Sequence, residues 1–121
     1  MRIFKASWFS RFAAKENIKD DDLKAIVKDV LETNQAKANL GSDVYKVRLA
    51  RPGEGKSSGY RVIVFFRKRD KTFFYYAYPK SARANINEKE LNNFKRVSKA
   101  YFAMTDDKIT EALEAGELIE I

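Results

Sequence analysis

"YRVIVFFRKRDKTFFYYAYP", residues 60–79, sets two runs of β-branched and aromatic residues on either side of a short charged segment. That composition is the mark of two strands joined by a tight connection. Residues 60–68 and 72–79 are the expected strands. "KRDK", residues 68–71, is short enough to link them as an antiparallel hairpin, although it lacks the Asn-Gly pair of the tightest turns. A third strand is expected over residues 44–50. It reaches the hairpin through "RPGEGKSSG", residues 51–59, whose proline and three glycines predict a mobile loop and a candidate lid or contact arm.

Outward from this core, "RIFKA" (residues 2–6) reads as a short strand, with Ser7 placed to cap a helix that carries Trp8, Phe9 and Phe12 on one face. The acidic run Asp20, Asp21 and Asp22 suits a helix N-terminus. Leu23, Ile26, Val27, Val30 and Leu31 then follow at helical spacing. Asn87 and Glu90 have capping-box spacing ahead of Leu91, Phe94, Val97, Ser98, Tyr101 and Phe102, which share a helix face. Thr105 caps a last helix, and Gly116 fits its stop before the tail "ELIEI". The expected fold class is α+β: one domain over residues 1–121, a small antiparallel sheet with the two N-terminal helices on one face, and additional C-terminal helices over about residues 87–121. The other face of the sheet is expected to stay open and to carry the basic residues.

Composition narrows the chemistry. The chain has 121 residues, no cysteine and no histidine, so disulfides, thiolate nucleophiles, the commonest metal ligand and the commonest general base are all missing. No metal and no cofactor are expected. Lys, Arg, Tyr and carboxylates are left for acid–base work. No stretch has the roughly 20 apolar residues of a membrane span, and "MRIFKASWFSRF" lacks the apolar run of a secretory leader. A soluble, cytoplasmic protein is the expectation.

The net charge of +7 is regional: residues 44–83 hold eleven Lys and Arg against two acids, whereas residues 84–121 hold five against eight. Such a basic middle suits an anionic partner, nucleic acid first, with a merely solvated lysine-rich surface as the plain alternative. Period two in "DVYKVRLA", residues 43–50, turns Tyr45, Val47 and Leu49 one way and Lys46 and Arg48 the other. Arg61 has the parity of Ile63, Phe65 and Arg67, and joins Lys46 and Arg48 in one basic hollow if the register allows. Arg51 and Lys56 are expected at its rim. The cations at the hairpin tip, Arg67, Lys68, Arg69 and Lys71, read as a solvated turn.

These residues carry a resemblance. "D-V-Y-K-V-R-L" followed after a loop by "S-S-G-Y-R-V-I-V" closely resembles the sheet of RelE-type toxins of bacterial toxin–antitoxin systems, in the RelE/ParE superfamily, and the tail is similar to that of a longer phage and chromosomal branch. The resemblance implies a ribosome-dependent endoribonuclease that cuts mRNA through its own 2′-OH and is silenced by a cognate antitoxin, here one with a helix-turn-helix domain. It implies catalytic roles for Lys46, Arg48 and Arg61; Arg83 joins them as a catalytic candidate, and Arg51, Lys56, Lys80 and Tyr78 are the candidate RNA contacts. The sequence departs from the family pattern after the last strand, where Lys80 is followed by Ser81 and the family tyrosine falls on Asn87. Arg83 is the candidate replacement for the family arginine, and Tyr78 or Tyr101 for the tyrosine. A gyrase inhibitor of the ParE kind and a non-catalytic RNA-binding relative are the alternatives.

Overall fold

The computed structural model describes residues 1–33, 39–51 and 59–121. Strand β1 (Arg2–Ala6) runs directly into helix α1 (Ser7–Lys15). Helix α2 (Asp20–Ile26) ends in a π-helical turn, Val27–Leu31. Strands β2 (Val44–Leu49), β3 (Tyr60–Phe66) and β4 (Lys71–Pro79) follow, then α3 (Glu88–Phe102), α4 (Asp106–Glu114) and β5 (Leu118–Glu120). The sheet order is β2-β3-β4-β1-β5. The β2–β3, β3–β4 and β1–β5 pairs are antiparallel and β1–β4 is parallel.

The hairpin forms as the sequence predicts. Its turn places Arg69 at φ 62°, while the Arg67 and Asp70 amides donate to the Lys71 and Arg67 carbonyls at 3.2 and 3.1 Å. The N-caps of both C-terminal helices also form. Asn87 Oδ1 accepts from the Glu90 amide at 2.8 Å and Glu90 returns the bond to the Asn87 amide at 2.9 Å. Thr105 Oγ1 accepts from the Lys108 amide at 3.2 Å. Gly116, at φ 74°, ends α4 with the paired Glu117-to-Ala112 and Gly116-to-Leu113 bonds of a left-handed stop. Ser7 differs from expectation: it is the first residue of α1, the cap position is Ala6, and no side-chain cap bond forms.

Two further expectations are corrected. The sheet is mixed rather than antiparallel throughout, because β1 runs parallel to β4, and the tail adds a fifth strand, β5, on the other side of β1. More consequentially, the sheet is covered on both faces. Val62, Val64 and Phe74 pack beneath Phe9, Leu23, Val27 and Leu31 of the N-terminal helices. Ile63, Phe65, Phe73 and Phe4 pack against Phe94, Ile109 and Ala112 of α3 and α4. Alternate residues of β3 therefore feed two cores, which is why every residue of that strand is buried. Each fully buried phenylalanine contributes on the order of 1.5–3 kcal/mol to this arrangement.

A bulge in β4 tunes the second core. Ile63 pairs with Tyr76 and Val64 with Phe74, leaving Tyr75 as the extra residue. Tyr75 and Tyr76 consequently both reach Phe94, at ring-centroid distances of 5.8 and 5.6 Å. The strand ends beyond the bulge, around Arg48, Arg61 and Tyr78, meet the β4–α3 connection, residues 80–87.

Candidate active site

Register brings the predicted cations together. Arg48 on β2 lies directly opposite Arg61 on β3, and Arg61 lies opposite Tyr78 on β4. Lys46 sits one step along the same face, opposite Ile63. The period-two reading therefore gives the correct face for Lys46, Arg48 and Arg61. It does not give the depth. Arg48 is exposed and Lys46 half-buried, but Arg61 is only 5% exposed, so it forms the floor of the cluster and is no open-face residue. Its Nη1 donates to the Tyr60 carbonyl at 3.3 Å.

The β4–α3 connection supplies the opposite wall. Arg83 Nε and Nη2 donate to the Asn85 carbonyl at 3.0 and 2.8 Å, while Nη1 and Nη2 grip the Glu90 carboxylate, the Nη1 bond measuring 2.9 Å. This fork–fork pairing holds the guanidinium 5.2 Å above the Tyr78 ring. It also pulls the Glu90 carboxyl below its ordinary range and raises Arg83. Lys46 Nζ donates to Asn85 Oδ1 at 3.1 Å. Asn85 thus ties Lys46 to Arg83, a role no periodicity in the sequence marks because the path of a connecting segment sets it. Glu90 is legible as a capping residue, but not as the partner of Arg83. Asn87, at the position of the family tyrosine, is the N-cap of α3.

Tyr78 is the second buried group of the site, and its hydroxyl meets no hydrogen-bond partner among the described residues. Burial pushes its pKa up, and the opposing pull of Arg83 and Arg61 does not reverse that shift. The phenol keeps its proton at neutral pH. Tyr101 is different: its ring packs on Phe65, Phe73 and Tyr75, and burial pushes its pKa up to about 12. It belongs to the core under α3, which leaves Tyr78 as the tyrosine of this cluster.

The remaining predicted residues are spread around it. Lys80 is exposed at the end of β4, its amide donating to the Gly59 carbonyl at 3.0 Å. Arg51 turns toward the N-terminal helices, where Nε donates to the Tyr60 hydroxyl at 3.3 Å and Nη2 lies 3.6 Å from Glu16. Lys56 and most of the expected lid, residues 52–58, lie outside the described residues. Arg67, at the far end of β3, pairs with Asp43 at 2.9 Å and lies over the Phe102 ring. Gly59 is a packing position: a Cβ there would stand 2.1 Å from the Leu49 carbonyl oxygen, so the ends of β2 and β3 approach as closely as they do only because residue 59 has no side chain.

Three arginines, a protonated phenol and a lysine gathered at one end of a sheet can bind a phosphodiester and move protons around it without histidine. A family model described as the RelE toxin of the RelE/RelB toxin–antitoxin system matches residues 1–121, the whole chain. No curated protein sequence matches it.

Proposed function

Given that the chain belongs to the RelE toxin family, we propose that this toxin is a metal-independent endoribonuclease that cuts mRNA on the ribosome and so stops translation. The observation that carries the reading is the cross-strand row Arg48, Arg61 and Tyr78, with Lys46 and Arg83 on either side of it. A phosphodiester seated over the row meets two guanidinium groups, whose planar forks match its non-bridging oxygens. Lys46, oriented by Asn85, acts as the free amine and takes the proton of the 2′-OH to become an ammonium as that oxygen attacks phosphorus. Arg48 and Arg61 stabilise the phosphorane. The P–O5′ bond then breaks, and Tyr78 gives its proton to the leaving oxygen, with Arg83 beside it. The products are a 2′,3′-cyclic phosphate and a 5′-hydroxyl. DNA, which has no 2′-OH, is spared.

A lysine base and a phenol acid are weak catalysts for free RNA. In-line positioning of the codon by the ribosome can supply on the order of 7 kcal/mol or more, which accounts for ribosome dependence. Membership of the family implies a cognate antitoxin. We assign that partner a helix-turn-helix domain and the toxin a cytoplasmic site of action, where ribosomes are found. No helix among the described residues is long and apolar enough to cross a membrane.

Primer extension on transcripts after induced expression tests the proposal. Discrete cuts within translated codons are expected, together with arrested protein synthesis. Intact transcripts with DNA damage and filamentation would point to a gyrase inhibitor instead. Copurification from the native operon tests the partner.

A further inference from the structure

Trp8 has no place in the chemistry above. It lies in the first turn of α1 and is 42% exposed, one of two large apolar side chains so exposed among the described residues. It is not a stray surface residue. Its indole stacks on Tyr76 at 4.8 Å and 28°, and on Phe12 at 5.4 Å and 15°. Tyr76 in turn lies 6.2 Å from the Tyr78 ring. A chain of aromatic rings therefore runs from the proposed phosphate seat, through Tyr78 and Tyr76, to a partly exposed indole held by stacking on two rings. Arg11, one helical turn along α1, is exposed beside it.

We propose that Trp8 is a stacking platform for a nucleobase of the RNA strand, flanking the phosphate held by Arg48 and Arg61. The inference rests on the nucleic-acid reading of that phosphate seat. A strand whose backbone crosses the cations carries its bases on either side, and a rigid aromatic face next to a basic seat is the arrangement that grips single strands without reading their sequence. The bracing by Tyr76 and Phe12 fixes the indole plane in advance, so little side-chain entropy is lost when a base lands on it.

Trp8 is the sole tryptophan of the chain, so intrinsic emission reports on this one ring. The probe is a fluorescein-labelled octauridylate at low salt: its anisotropy reads binding, and an unlabelled octamer titration reads the quenching of Trp8 emission. Saturable quenching is expected. An octamer of abasic sugar-phosphate should bind without quenching. Trp8→Ala should weaken octauridylate binding about 5- to 100-fold, as loss of one stacked base does, with Trp8→Phe falling between it and the parent. Thermal melting of both variants separates lost stacking from lost fold. Absence of binding, binding with unchanged emission, or a folded Trp8→Ala variant that binds like the parent overturns the proposal. Emission that ignores RNA but shifts when the copurified antitoxin is added overturns it too, and assigns these rings to the protein partner. Cleavage on programmed ribosomes is scored separately: quenching without cleavage keeps the platform and removes the nuclease reading.

Discussion

Arg48 and Arg61 face each other as direct cross-strand partners on β2 and β3, one exposed and the other buried. Like charges in that position destabilise a sheet by a few tenths to about 1 kcal/mol, and a bound dianion relieves the repulsion. Inorganic phosphate is therefore expected to raise the melting temperature above that in chloride of equal ionic strength. Arg48→Gln should respond less than the parent to its addition. Equal phosphate responses from the two proteins would detach Arg48 from the anion seat.

Arg61 contributes both a charge and buried volume. Arg61→Ala leaves a cavity as well as removing the guanidinium, so Arg61→Met, which fills much of the same space, separates the two effects. The methionine variant should melt close to the parent. Its cleavage of ribosome-bound mRNA should fall about 100-fold or more, the usual consequence of losing one transition-state donor. Arg61→Lys should recover only part of this, because an ammonium lacks the bidentate fork. Parental cleavage by a folded Arg61→Met protein would remove Arg61 from the chemistry.

Glu90 links the wall of the site to the cap of α3, and its titration makes that link visible. Hydrogen bonds from Arg83 and from the Asn87 backbone hold its carboxyl below the ordinary value of 4.5. A depressed carboxylate contributes stability that is fully present above the unfolded value and is lost as pH falls through the folded one. Glu120, lowered chiefly by Arg2, acts in the same direction. The melting temperature should drop as pH falls below about 4.5. In Glu90→Gln the drop should be shallower and the neutral-pH stability lower, because the glutamine can cap α3 but cannot hold Arg83 as an ion pair. Circular-dichroism melts across pH 3–7 read both effects.

The sheet was legible in the sequence wherever a local signal existed, and illegible where a distant segment decided the outcome. The hairpin, the capping box at Asn87 and Glu90, and the shared face of Lys46 and Arg48 all follow from spacing within a few residues. By contrast, β5 has three residues and becomes a strand only by pairing with β1, more than a hundred residues away in sequence. The second covered face has the same origin: Phe65 and Phe73 look identical in sequence whether a helix lies over them or not, and only the return of α3 and α4 buries them. Arg61 shows the limit most clearly, since its parity gives its face but not its burial.

Gly59 tests the architecture of the site apart from its charges. A methyl group there meets the Leu49 carbonyl oxygen at 2.1 Å and the Arg51 nitrogen at 2.9 Å. Both contacts are to backbone, so relief requires the end of β2 to move. Gly59→Ala should cost about 1–3 kcal/mol of stability, as overpacking does. It should also impair cleavage more than its melting temperature explains, because the shift falls one residue from Arg48. A variant with parental stability and activity would mean that the two strand ends are not held at this separation.

Tyr78 supplies the sharpest separation of stability from function. Its hydroxyl is buried without a hydrogen-bond partner among the described residues, an arrangement that costs roughly 1–3 kcal/mol relative to a satisfied group. Removing the oxygen as Tyr78→Phe keeps the ring under Arg83 and eliminates that cost, so the variant should melt at or above the parental temperature. A core tyrosine with no further task would then be the poorer choice at this position. If the hydroxyl instead waits for the leaving 5′ oxygen, Tyr78→Phe should slow mRNA cleavage about 100-fold or more, the range of a lost general acid. The raised pKa gives the pH dependence: the acid form persists through neutral pH and above the ordinary tyrosine value of 10, so the parental rate should show no fall from loss of this proton between pH 7 and 9. Single-turnover cleavage on programmed ribosomes, measured with melts of the same preparations, decides it. A more stable Tyr78→Phe protein that cuts at the parental rate would leave the leaving group to Arg83.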